Sequence, residues 1–224
     1  MKENRMNKIS IKELTICIPV RIDSDSRRRN LEAILSFFSE YVDCSVLVLE
    51  ADEHPLIENV KDKKNVQYFF VEDVDPVFFR TRYINLMLKM VSTPLAAIWD
   101  SDVIAYPDQL KLACELLLKK DLTLVYPYDG HFIYVDQYYA EIFYRSNNLQ
   151  LLDSTYFSKR LFHGSGAVGG AYIVNVGKYL LIGGENENFY GWGPEDAERE
   201  KRVEILEVGI ARVEGGLFHL YHTR

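Results

Sequence analysis

Asp100-Ser101-Asp102 follows the apolar run Ala97-Ile98-Trp99, and the types and spacing of its two carboxylates could do chemistry. If the run is a buried strand, side chains two apart leave the same face, so both carboxylates project together from its end. Two hard oxygen ligands there suit Mg2+ or Mn2+. A divalent ion so held bridges the phosphates of a nucleoside diphosphate and steadies it as a leaving group. The same pair also suits a solvated turn, helped by Tyr106-Pro107 just beyond. Arg21 follows the apolar Glu13 to Val20 and is placed to meet a phosphate at a strand end. Arg27 to Arg29 read either as further phosphate contacts or as a solvated helix start. Glu50 and Asp52 compete for a ribose or a base edge, with a solvated loop as the plain alternative. Gly169-Gly170 lets a ligand approach the backbone or permits a turn with positive φ.

These residues need elements to hold them. Glu13 to Val20, Cys44 to Leu49 and Val66 to Val71 are apolar and β-branched runs, expected as buried strands. Leu31, Ile34, Leu35 and Phe38 recur at helical spacing, so Arg21 to Asn30 reads as a loop feeding a helix. A second helical stripe, Ile84, Met87, Leu88 and Val91, ends at Thr93-Pro94 and leads through Leu95 to Trp99 into the carboxylates. Leu110 to Leu118 is expected as a helix, and Leu122 to Tyr126 and Ala171 to Val174 as strands. This alternation predicts an α/β fold with a mostly parallel central sheet flanked by helices. Asp129 to Arg160 holds Tyr134, Tyr138, Tyr139, Phe143, Tyr144, Tyr156 and Phe157 with weak periodicity; a helical insertion with an aromatic core is expected there, with sugar stacking as the functional alternative.

The chain has 224 residues, 48% of them hydrophobic, enough for one well-filled core. Its formal net charge of -7 carries no basic footprint, so nucleic acid is not expected as a partner, and an anionic nucleotide needs a local basic site or a metal. Cys17, Cys44 and Cys114 are widely spaced in apolar contexts and read as reduced core residues, which fits a cytoplasmic location. The amino-terminal residues Met1 to Lys12 lack the apolar core of a signal peptide, and no apolar run reaches the roughly 18 residues of a membrane span. Any membrane association is then expected to be peripheral.

Gly183 to Asp196, ending in Gly191-Trp192-Gly193-Pro194-Glu195-Asp196, is the most specific stretch. With Ile18-Pro19-Val20-Arg21, Phe78-Phe79-Arg80, Asp100-Ser101-Asp102, Gly169-Gly170 and a terminal His219-Leu220-Tyr221-His222, in that order, it resembles the β-1,4-galactosyltransferase and chondroitin-polymerase-like glycosyltransferases. The resemblance implies a GT-A fold over 1–224, with a nucleotide-binding half at about 13–105 and an acceptor and metal-completing half at about 106–224. It implies inverting transfer of a sugar, galactose, N-acetylgalactosamine or similar, from a UDP donor to a glycan acceptor, with Mn2+ or Mg2+ as cofactor. The nucleotide is expected along Pro19, Arg21, Glu50, Phe78, Arg80 and Asp100, and the sugars at Gly169, Gly170 and Trp192. Asp102 and His222 are expected to ligate the metal, joined by Asp100 and by His219, which stands where galactosyltransferases carry methionine.

The same resemblance places Glu195 and Asp196 at the acceptor, Asp196 as general base. An attacking hydroxyl has to lose its proton to a nearby carboxylate. Glu195 and Asp196 also suit the first turn of a helix opened by Pro194, and both roles can hold at once. A sugar nucleotidyltransferase would carry a glycine-rich loop after the first strand, where this chain has Pro19-Val20-Arg21-Ile22. A non-catalytic glycan-binding module is the remaining alternative.

Overall fold

A computed structural model describes residues 8–57, 65–152, 161–163, 166–191 and 193–223. In chain order it begins with β1 (Ile9–Val20), α1 (Asp25–Tyr41), β2 (Val42–Asp52), β3 (Val66–Glu72) and α2 (Arg80–Met90). Next come β4 (Leu95–Trp99), β5 (Val103–Ile104), α3 (Pro107–Lys119), β6 (Leu124–Tyr126), β7 (Phe132–Tyr134) and α4 (Gln137–Ser146). The chain closes with β8 (Leu161–His163), β9 (Ala171–Asn175), α5 (Val176–Leu181), α6 (Glu195–Ile205), β10 (Ile210–Arg212) and β11 (Leu217–His219).

Strands whose residues are apolar on both faces must be covered on both, and β1 is such a strand: Leu14, Ile16, Cys17 and Ile18 are wholly buried. It lies inside a seven-stranded sheet of order β10-β6-β9-β4-β1-β2-β3. β2 and β4 pair with β1 in parallel, β3 with β2 and β10 with β6 likewise, while β9 runs antiparallel between β4 and β6. The sheet is therefore mostly parallel. The chain moves from β1 outward through β2 to β3, then returns to β4 on the other side of β1. That reversal opens a crevice at the carboxyl ends of the strands, the usual ligand position in such sheets. β1 keeps company with β4 only as far as Cys17, paired with Ile98, so Pro19 lies where the strands part and its missing N–H costs no bond to β4.

A smaller sheet of order β5-β11-β7-β8 lies beyond this edge. It corrects the expectation for residues 129–160: 137–146 is helical, but Phe132–Tyr134 is a strand paired in parallel with Leu217–His219. Tyr156 and Phe157 lie outside the described residues. The stretch read as a loop before the first helix is also shorter than expected. Ser24 caps α1 by accepting from the Arg27 N–H, so Arg27, Arg28 and Arg29 stand in its first turns. Among the described residues no helix is long and apolar enough to cross a membrane.

Candidate active site

β4 stops at Trp99, and Asp100 to Asp102 is a turn rather than a strand end. The alternation that would put both carboxylates on one face ends with the strand, and the two part company. Trp99 anchors the turn: wholly buried, it donates from Nε1 to the Val103 carbonyl at 2.8 Å. The Asp100 N–H donates to the Gly170 carbonyl at 2.8 Å, and the Asp102 carbonyl accepts from the Leu220 N–H at 2.8 Å. One aspartate is thus tied to the start of β9 and the other to the end of β11.

The second tie brings the terminal histidines to Asp102. His219 Nε2 lies 3.7 Å from Asp102 Oδ1 and His222 Nε2 lies 3.8 Å from Oδ2. The Asp102, His219 and His222 ligand atoms all fall within 4.8 Å of one another. Asp102 is buried and its donors converge, so a hard carboxylate and two imidazoles form a set that fits a divalent transition ion. Burial lowers the His219 pKa, opposed by the Asp102 charge, which favours the neutral imidazole a ligand must present. Arg27 NH1 stands 3.9 Å from Asp102 Oδ2. Asp100 is not part of this group among the described residues: its Oδ1 accepts from Arg80 NH2.

Arg80 opens α2 and points across the crevice. Burial disfavours its charge, but Asp100 and then Asp196 outweigh this and raise its pKa above the usual value. Its NH1 is buried without a hydrogen-bond partner among the described residues. Arg21 acts as a brace. It donates to the Ala51 carbonyl at 2.8 Å, the Asp75 carbonyl at 2.7 Å and Asp73 Oδ2 at 2.7 Å. Its guanidinium also lies 5.6 Å from the Phe78 ring centre, so it holds the loop that carries Phe78 to the strand ends. Glu50 is wholly buried, with both oxygens occupied by the Leu56 and Ile57 N–H groups and the Tyr68 hydroxyl.

On the far side of Asp100 sit the glycines and the start of α6. Gly170 has φ +81°, a conformation side chains rarely adopt, and a Cβ there would meet Phe132 at 2.7 Å and Leu217 at 2.8 Å. At Gly169 a Cβ would come within 2.8 Å of Asp196 Oδ2, so the bare backbone is what lets the carboxylate approach. Glu195 is buried, its Oε2 has no partner among the described residues, and burial followed by the Asp196 charge raises its pKa. Asp196 Oδ1 accepts from Arg199 NH2 at 2.7 Å. Trp192 lies outside the described residues.

Sequence reasoning passed over Arg199 and Glu185. Arg199 is wholly buried, donates from Nε and NH2 to the Glu185 oxygens at 2.9 and 3.2 Å, and lies 3.7 Å from the centre of the Tyr172 ring. Its three-residue spacing from Asp196 on an expected helix was the available signal. Nothing local in Gly184-Glu185-Asn186 marks a buried counter-charge.

Residues 152–224 match the family described as the N-terminal domain of galactosyltransferase. No curated protein matches the chain at a significant level. Among solved structures, the catalytic domain of Drosophila β1,4-galactosyltransferase 7 in complex with xylobiose is 17% identical at a TM-score of 0.52, covering 90% of this chain and 65% of that one. A mutant of the same enzyme, in complex with manganese, UDP-Gal and xylobiose, is 16% identical at 0.53 with the same coverage. Glucosyl-3-phosphoglycerate synthase from Mycobacterium tuberculosis, with Mn2+, UDP and phosphoglyceric acid, is 18% identical at 0.56, covering 94% and 71%. The chain thus spans 65% of the length of the galactosyltransferase, and at these identities the likeness is one of fold. In fold the chain is of the GT-A type, and over its last third it is similar to the galactosyltransferases.

Proposed function

We propose that the protein is a metal-dependent, inverting glycosyltransferase that moves galactose, N-acetylgalactosamine or a similar sugar from a UDP donor to a hydroxyl of a glycan acceptor. The observation that carries this reading is the convergence of Asp102, His219 and His222 at the carboxyl edge of a GT-A sheet. Mn2+ suits this mixed oxygen and nitrogen set better than Mg2+, which prefers all-oxygen octahedra. When bound, the ion would neutralise the charge that grows on the departing diphosphate. The neighbours solved with Mn2+ and UDP or UDP-Gal support the same cofactor and donor class.

The chain's own residues divide the remaining work between a nucleotide half, about 13–105, and an acceptor half, about 106–224. Phe78 offers the base an aromatic face on a loop braced by Arg21, and Pro19 borders the parted strands. Glu50 supports that wall from inside. Arg80, held by Asp100, places a buried N–H donor between the nucleotide and acceptor sides. Gly169 and Gly170 admit a sugar close to the backbone, with Trp192 as its expected partner. Asp196 takes the acceptor proton as the hydroxyl attacks from the face opposite the diphosphate, and Glu195 beside it holds an acceptor hydroxyl. A growing surface or capsular glycan made in the cytoplasm is the acceptor setting this reading favours.

The test is a screen of UDP-galactose, UDP-N-acetylgalactosamine, UDP-glucose and UDP-N-acetylglucosamine for Mn2+-dependent UDP release with a panel of β-linked mono- and disaccharides. UDP release that needs Mn2+ and an acceptor is expected for one donor. No release with any of them, together with calorimetry showing no Mn2+-dependent binding of UDP, would refute the reading.

A further inference from the structure

We propose that Arg199 is a positioning residue: anchored on Glu185, it fixes the Asp196 carboxylate so that one oxygen faces the acceptor hydroxyl. This rests on the reading of Asp196 as general base. An aspartate on the first turn of a helix ordinarily samples several rotamers, and a base that does so is seldom in line with its proton. Here Oδ1 is taken by Arg199 NH2 at 2.7 Å, while Oδ2 is pressed toward the Gly169 backbone, 2.8 Å from where a Cβ would stand. The carboxylate is partly exposed, with 29% of its side chain reached by solvent, so one oxygen is spent on orientation and the other can serve substrate.

An exposed arginine three residues along a helix would hold an aspartate only loosely. Arg199 is different because it is wholly buried and itself held by a second carboxylate. Glu185 takes its Nε and NH2, and the Tyr172 ring packs against the guanidinium plane. Glu185 is fixed in turn by the hydroxyls of Tyr172 at 2.6 Å and Tyr179 at 2.5 Å, and by its own N–H to Asn85 Oδ1 at 2.7 Å. Orientation therefore passes from the sheet, through β9 and α5, to Glu185, then Arg199, then Asp196. A planar fork can serve two carboxylates at once, which an ammonium on a flexible stem cannot do in the same geometry. Packing alone does not require this arrangement, since apolar residues of similar volume commonly stabilise a core as well as a buried ion pair does.

The experiment uses Arg199→Lys, which keeps the charge beside Glu185 but gives up the fork, with Asp196→Asn and the double variant. Each is assayed for UDP release with the donor and acceptor found in the screen, for Mn2+ and UDP binding by calorimetry, and for thermal unfolding. For Arg199→Lys, kcat should fall about 10²-fold, the loss typical of a misplaced reacting group. KM for the donor and binding of Mn2+ with UDP should stay within about twofold. In the Asp196→Asn background the lysine should cost nothing further in kcat, because the group through which it acts is gone. Wild-type kcat in Arg199→Lys, or losses that multiply in the double variant, would overturn the proposal while Asp196 stands as base. Wild-type kcat in Asp196→Asn would instead remove the reading beneath it. If Arg199→Lys is too unstable to assay, Tyr179→Phe provides the same cycle, since it removes one hydroxyl that fixes Glu185 without touching Asp196 or leaving a buried charge unbalanced.

Discussion

Asp100 and Asp102 are two residues apart and have different companions, and that difference sets what each substitution should do. Asp102 faces two imidazoles and a guanidinium from a buried position, whereas Asp100 is paired with Arg80. Asp102→Asn keeps the volume and removes the charge on which the proposed dication site depends. Calorimetry is expected to show UDP binding that Mn2+ no longer strengthens, with thermal unfolding near that of the parent. Asp100→Asn should leave Mn2+ binding in place and weaken turnover through Arg80. His222→Ala removes one of the three atoms proposed to hold the ion, so its cost in Mn2+ affinity should exceed the roughly 10–100-fold typical of groups that only support a ligand. If Asp102→Asn binds Mn2+ with UDP as the parent does, while Asp100→Asn does not, the ion sits on the other carboxylate. That the pair could form either an ion clamp or a solvated turn was legible from residue type alone. Its division was not, because it depends on the strand ending at Trp99 and on which later strand each backbone meets.

At the scale of elements, the start of β9 decides how near α6 comes to Asp100. Gly170→Ala should be destabilising by about 2–4 kcal/mol in urea unfolding, combining the usual penalty for a side chain at positive φ with overpacking against Phe132 and Leu217. Gly169→Ala meets only the end of the partly exposed Asp196 side chain, so its stability cost should be under about 1 kcal/mol. Its UDP release should nevertheless fall by about 10²-fold as the carboxylate is displaced. Wild-type turnover in Gly169→Ala would mean that this approach of Asp196 to the backbone does not matter. Elements with continuous apolar runs or clean helical stripes were legible in the sequence: β4 lies at Leu95–Trp99 as expected, and α2 begins at Arg80. The three-residue strands β7 and β11 were not read as partners, because three residues carry too little periodicity and their pairing joins distant parts of the chain. Arg21 was read as a phosphate contact and not as a brace, since its acceptors are two backbone carbonyls and Asp73 from other loops.

For the whole molecule, the buried charges tie the start of α6 to overall stability. Glu185 is 3% exposed and carries three side-chain partners. Burial alone would raise its pKa, but the charge and hydrogen bonds of Arg199, with the two tyrosine hydroxyls, lower it from the usual 4.5 to about 2. A carboxylate whose pKa is depressed on folding contributes stability that is full above its unfolded value and fades as pH falls through the folded one. Here that window runs from about pH 4.5 down to about 2, and the contribution is on the order of 3 kcal/mol. In Glu185→Gln the amide cannot balance Arg199, which stays charged in the core, so unfolding at pH 7 should be easier by about 3–5 kcal/mol. Because the parent gives up its share on acidification while the amide does not titrate, the gap between the two proteins should close as pH falls. Urea midpoints measured at pH 7, 5, 4 and 3 would show this convergence. A gap that stays constant over that range would mean Glu185 is not ionised against Arg199, and the path of orientation from the sheet to Asp196 would lose its anchor.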